Sequence, residues 1–255
     1  MKTHSAKIAR VSAISALVSL ALAPAALLSG PASAGPAAAE ATAAGPVTVN
    51  FKCQARPPIG APQESTMTMQ VTGTAPATAA PGAAVGITLT AGQGQIPGTQ
   101  GGYKINYVRD LALTAPFPTN STYVSSSLSG GTVNATINTS GGKAVMKVTN
   151  RLPGGSTFTL PALGVNVTAG NSGSITTTLA GTSYADPGLT MVVNAQAGFF
   201  AVDVPVSCYP DPAPIFTTTV IGPNAPAPAP APRPTQPTDP GVFTLLPDLG
   251  LDRAQ

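Results

Sequence analysis

Apolar residues in the central part of the chain recur at every second position. Val47, Val49, Phe51 and Cys53 alternate with Thr48, Asn50 and Lys52, and Met67, Met69 and Val71 with Thr68 and Gln70. Val85, Ile87 and Leu89 alternate with Gly86 and Thr88. The same period returns at Ile105/Tyr107, Val133/Ala135/Ile137, Met146/Val148, Val165/Val167, Ile175/Thr177/Leu179 and Leu189/Met191/Val193, and closes with Val202, Val204, Val206 and Cys208. Strict alternation bounded by Gly, Pro, Asn and Ser predicts half-buried antiparallel strands. No stretch carries a 3.6-residue stripe. About ten strands in roughly 175 residues predict an all-β fold, an antiparallel Ig-like β-sandwich built as one large or two small halves.

The alternation has clear limits. Residues 46–221 form the expected β-sandwich domain. Before it, residues 35–45 (GPAAAEATAAG) read as a spacer. After it, residues 222–240 form a Pro/Ala-rich linker, mostly an Ala-Pro alternation that favours an extended polyproline II spacer. Residues 241–255 are a short apolar C-terminal segment with Val242, Phe243, Leu245, Leu246, Leu249 and Leu251.

Residues 1–34 read as a signal peptide. Lys2, Lys7 and Arg10 precede an apolar run from Val11 to Leu28, and Ala32-Ser33-Ala34 gives the small-x-small pattern for cleavage between Ala34 and Gly35. The other reading is a retained anchor; Pro24 and the immediate cleavage pattern weigh against it. No later segment reaches the length of a spanning helix. The expected location is therefore secreted or extracellular, with cell-envelope association as a further option.

Composition agrees with a turn-rich β protein and removes several function classes. The 255 residues include 27 Gly and 28 Pro, and only 8% are charged. The net charge of +3 is a property of the leader. Without Lys2, Lys7 and Arg10, nine basic residues face nine acidic ones, which gives no electrostatic footprint for nucleic acid or an anionic membrane. The one histidine, His4, lies in the leader, so the mature chain cannot assemble a Ser-His-Asp or Cys-His centre or an imidazole zinc site. No cofactor is expected. Gly92-Gln93-Gly94 and the run Gly98 to Gly102 lack the helix onset of a phosphate cradle and read as surface loops. Four Asn-x-Ser/Thr sequences, at Asn120, Asn134, Asn138 and Asn166, are expected by chance in a chain this rich in Asn and Thr. Leu246-Pro247-Asp248-Leu249-Gly250 lacks the threonine, apolar stretch and basic end of a wall-sorting signal.

The two cysteines each end a strand pattern on its apolar parity, so both thiols should face the core. In an exported protein a Cys53–Cys208 disulfide is the default. A redox or nucleophilic cysteine is the alternative, without a CxxC or a histidine to support it.

Phe51-Lys52-Cys53, then Pro57-Pro58-Ile59-Gly60, and Cys208-Tyr209-Pro210 at the end resemble a family of secreted actinobacterial proteins of unknown function. The resemblance covers roughly residues 46–210. It implies a signal peptide, a β-rich domain bracketed by two cysteines and a Pro-rich tail. Some members carry the names cyclase or dehydratase, but no catalytic motif maps onto this chain.

The acids of the body are Glu64, Asp110, Asp186, Asp203 and Asp211. Asp186-Pro187-Gly188 is a turn sequence, in which Asp186 serves turn initiation. Asp203, between Val202 and Val204, should point outward. Arg109-Asp110 breaks the apolar pattern of its strand, and so marks either a site or a β-bulge or edge charge. Tyr103, Tyr107 and Tyr123 offer a thin stacking platform. The leading expectation is a non-enzymatic binding or structural surface module whose partner is an envelope component or protein. An extracellular carrier of an apolar small molecule is the alternative, favoured by a cavity lined by Met67, Met69, Met146 or Met191. A carboxylate-dependent enzyme comes third, favoured by converging acids.

Overall fold

The structure, a computed structural model, describes residues 41–222 and 243–244. The leader, its cleavage point and nearly all of the Pro/Ala-rich linker lie outside those residues.

Ten strands form the path of one continuous 13-stranded antiparallel sheet. In chain order they are β1 (Val47–Ala55), β2 (Gln63–Pro76), β3 (Ala84–Ala91), β4 (Tyr103–Pro116) and β5 (Ser121–Ser129), then β6 (Ala135–Ser140), β7 (Lys143–Val148), β8 (Ala162–Ala169), β9 (Leu189–Ala197) and β10 (Phe200–Pro210). Their spatial order is β6-β7-β4-β9-β10-β1-β2-β3-β8-β5. The end strands β5 and β6 approach each other without pairing, so the sheet is nearly closed and barrel-like. The all-β, antiparallel class is as expected, and the large sheet is barrel-like where an Ig-like sandwich of one large or two small halves was expected. Alternation reports which side of a strand is buried, not whether the sheet turns back on itself.

The alternation itself holds. Val49, Phe51, Cys53 and Ala55 of β1 are fully buried, as are Val204, Val206 and Cys208 of β10. Thr48, Asn50, Lys52 and Gln54 of β1 and Asp203, Pro205 and Ser207 of β10 occupy the intervening outward positions. Apolar residues inside and polar residues outside is the reverse of a membrane-spanning barrel. Among the described residues no helix is long and apolar enough to cross a membrane.

Local sequence sets the connections. Gly141-Gly142 joins β6 to β7 with both φ angles positive, 57° and 76°. A two-residue turn of that geometry matches the twist of the strands it joins, and only glycine adopts it twice without strain. The first and last strands lie side by side, with Cys53 directly opposite Cys208. Their disulfide joins Cα atoms 4.0 Å apart across 155 residues of sequence.

Two bulges in β4 re-phase its side chains. Pairing with β9 slips once at Asn106 and again at Asp110, where φ is +55°. Ile105, Val108 and Leu111 therefore all reach the core, although their spacing is three. Tyr107, expected to share the inward parity of Ile105, faces outward instead, and Val108 takes the buried position.

Two sequence patterns fall elsewhere. Ile175 and Thr177 belong to a short strand, Gly173–Thr177, paired with Thr217–Ile221 in a small separate sheet. Gln93–Gln95, expected within a surface loop, is a strand paired with Thr157–Thr159. Thr99–Gln100 likewise pairs with the start of β4. Ala41–Ala43, within the expected spacer, pairs with Thr74–Pro76 of β2. From the apolar C-terminal segment, Phe243–Thr244 pairs in parallel with Gly94–Gln95.

Candidate functional site

A β-bulge places two neighbouring side chains where a regular strand would point them apart. The slip at Asp110 does this for Arg109 and Asp110 on the outer face of β4. Aspartate tolerates the left-handed conformation better than most residues, which makes it a suitable occupant of that position.

Around the bulge four strands contribute side chains to one ionic face. Arg109 Nη1 contacts Asp110 Oδ2, and Arg109 Nη2 donates to Asp203 Oδ2 of β10 at 2.8 Å. Lys147 Nζ of β7 lies 3.0 Å from Asp110 Oδ1. Asn194 Nδ2 of β9 donates to Asp203 Oδ1 at 2.7 Å, and Asn106 Nδ2 donates to Asn194 Oδ1 at 2.9 Å. Just after β7, the Arg151 guanidinium lies 4.4 Å above the centre of the Tyr107 ring. An open cleft runs beside Arg109, Asp110, Lys147, Thr149, Asn150 and Arg151.

Three cations and two carboxylates leave one positive charge over. Arg151 carries it, because the carboxylates are held by Arg109, Lys147 and Asn194. Its donors make no ion pair among the described residues, and its plane rests on an aromatic face, a favoured seat for guanidinium.

Electrostatics fix the protonation states. The Asp110 carboxyl sits below its ordinary range because Lys147 and then Arg109 hydrogen-bond its charged form. Asp203 is lowered by Asn194 and then Arg109. Arg109 is raised by Asp203 and Asp110 together. Both acids are thus held ionised, and neither is poised to carry a proton near neutral pH.

The other acids stand apart from this face. Asp186 closes its own turn by accepting from Thr182 Oγ1 at 3.2 Å and meets Lys143 at 3.4 Å. Asp211 contacts Lys52, and Glu64 accepts from Gln54 at 3.5 Å. Among the described residues no three of His, Cys, Asp and Glu converge as metal ligands. The three tyrosines do not share a platform. Tyr103 is buried, Tyr107 lies beneath Arg151, and Tyr123 stacks on Phe117 with ring centres 4.1 Å apart.

Arg109 and Asp110 were legible as a break in the strand pattern, and Asp203 as an outward-pointing acid. Their union was not, nor were the parts of Lys147, Arg151, Asn106 and Asn194. The missing information is register: Asp203 meets Arg109 only because Asn194 pairs with Asp203 and Val192 with Arg109.

Inside the barrel, an apolar cavity of about 20 Å³ is lined by Val71, Leu89, Leu113, Met146, Leu163 and Leu179, among others. That is room for about one water molecule. Comparison with protein-family models, with curated proteins and with solved structures finds no match to this chain.

Proposed function

We propose that this chain is a secreted or cell-envelope-associated, non-enzymatic binding module that recognises acidic polysaccharide on the outer face around Arg109. The observation that carries the proposal is Arg151, a guanidinium with no ion pair among the described residues, beside a face that mixes amides, carboxylates and cations. Sugar hydroxyls both donate and accept, so they suit a mixed surface; a sparse anionic group on the polymer suits the Arg151 guanidinium.

Several features support this reading over its rivals. The Cys53–Cys208 disulfide and the lack of a long apolar helix among the described residues are compatible with an extracellular protein. The N-terminal leader pattern and the resemblance to secreted actinobacterial proteins point the same way. Four paired strands of the nearly closed sheet carry the recognition face. The carrier alternative has in its favour a cavity lined by Met146, but its volume is far below the roughly 300 Å³ of a small-ligand site. A carboxylate enzyme needs an acid raised toward neutrality, whereas Asp110 and Asp203 are both lowered.

Affinity electrophoresis through gels holding a polyuronate, a phosphate-bearing glycan or a neutral glucan tests the proposal. Retardation by one or both acidic polymers and not by the glucan is expected, with the retardation lost in Arg151→Ala. The two acidic gels separate carboxylate from phosphate recognition. Free migration in all three gels, or equal retardation of wild type and Arg151→Ala, would sink the proposal.

A further inference from the structure

The hairpin that joins β9 to β10 ends in two bare aromatic rings. Ala197 pairs with Phe200, leaving Gly198 and Phe199 as the turn, with Gly198 at a φ of +57°. Phe199 is 100% exposed and Phe200 is 79% exposed. Phe200 occupies the same strand parity as Val202, Val204 and Val206, the stripe that faces the core. Val204 and Val202 still pack on the core although pairing of β10 with β1 begins only at Val206, opposite Ala55, whereas Phe200, one step further along the stripe at the hairpin end, does not. Phe200 to Val204 thus run past the end of β1, by about 16 Å at the usual rise per residue. A core-facing stripe has been continued in phenylalanine beyond the point where a core exists.

Single exposed apolar residues need no explanation, but two adjacent rings at a protruding tip do. A convex tip presents far less than the roughly 800 Å² that each partner of a stable protein interface covers. A fluid lipid interface accepts a protrusion without needing a matching cavity, and aromatic rings favour that zone. The surroundings agree in charge. Lys104 pairs in register with Gln196, next to the tip, and Arg56 lies at the same end of the sheet, where its N–H donates to the Pro205 carbonyl. Lys104 has no carboxylate partner among the described residues, while Arg56 donates to Gln54, whose amide donates in turn to Glu64. Ile59, 87% exposed on the loop after β1, adds a second apolar point at that end.

We propose that the Gly198–Phe200 tip is a lipid-docking element that seats the barrel on a membrane surface containing anionic lipid. Phe199 and Phe200 enter the boundary between headgroups and acyl chains, while Lys104, next to the tip, meets headgroup phosphate. The contact is peripheral and independent of the polysaccharide face.

The chain has no tryptophan, so Phe199→Trp creates a sole reporter at the tip. Mixed with vesicles of equal parts phosphatidylcholine and phosphatidylglycerol, full-length F199W should shift its emission to the blue. In sedimentation, Phe199→Ser/Phe200→Ser should lower partitioning of the full chain by about a hundredfold, from the apolar area of two rings. Lys104→Gln should cost about fivefold on the mixed vesicles and little on phosphatidylcholine alone. Val124→Ser, at an exposed apolar position outside the tip, should change nothing, and unchanged thermal melts establish that each variant is folded. The assignment is overturned if F199W emission stays fixed while the chain sediments with vesicles, because another segment is then binding. Equal partitioning of wild type and the double serine variant, or no partitioning of either, also overturns it. So does a concentration-dependent dimer that the double variant abolishes, which would make the tip a contact between copies.

Discussion

Replacing both cysteines with alanine probes the join between the strands that come first and last in the chain, at the middle of the sheet. Cys53 and Cys208 are fully buried and directly opposed on β1 and β10. Their bridge closes a loop with a sequence separation of 155. In the chain-entropy model, a loop of that length removes about 17 cal/mol/K from the denatured state, or about 5 kcal/mol at room temperature. Residual structure in the denatured chain reduces this, so a loss of about 3–5 kcal/mol is expected. In urea, with a slope near 2 kcal/mol/M, the unfolding midpoint should fall by about 2 M. The slope should also steepen, because the uncrosslinked chain exposes more surface when it unfolds. If the variant is too unstable to purify, wild type unfolded in urea with and without reductant gives the same comparison. A midpoint shift under about 0.5 M would refute the view that the bridge restrains the whole barrel.

Other consequences follow from the bulged strand and its ionic face. At position 110 the left-handed backbone should make Asp110→Ala about 1 kcal/mol less stable than Asp110→Gly, although both lose the carboxylate; equal stabilities by urea melt would show that the bulge relaxes. The re-phasing of β4 makes Val108→Ala cost about 2 kcal/mol and Tyr107→Ala less than about 1 kcal/mol in the same assay, an order that reverses if alternation continues unbroken from Ile105. Asp110 and Asp203 have lowered folded-state pKa values, so their contribution is complete above the unfolded value near 3.9 and fades as pH falls through the folded values. The stability gap between wild type and Asp203→Asn should therefore stay level from about pH 7 to pH 5 and shrink below about pH 4. A gap that widens on acidification would contradict the ion-pair assignment.

How far the sequence carried the fold depends on which physical signal each element left in it. Nine of the ten sheet strands announce themselves by alternation, because one side of each is buried. β5 does not: Ser125-Ser126-Ser127 has no apolar side to count, and the strand is held at the sheet edge by backbone pairing with β8. Barrel-like closure was illegible for a related reason, since it depends on which strands pair and not on which face is apolar. The cysteines were readable, as parity and compartment both constrained them. At the site, Arg109-Asp110 was visible as a broken period, but both alternatives held at once: the pair forms a bulge, and the bulge assembles the charged face. Phe200 continues the apolar parity of Val202 and Val204, so nothing in the sequence marks it as lying at an exposed hairpin end.

The central claim is that the Arg109 face binds an acidic sugar polymer and leaves it chemically unchanged. Native mass spectrometry of the full chain with an acidic oligosaccharide of defined length tests both halves together. An adduct of protein plus intact oligosaccharide is expected, unaltered in mass after prolonged incubation and absent for Arg151→Ala. A bare protein would contradict recognition, and a shortened or dehydrated oligosaccharide would contradict a non-enzymatic role.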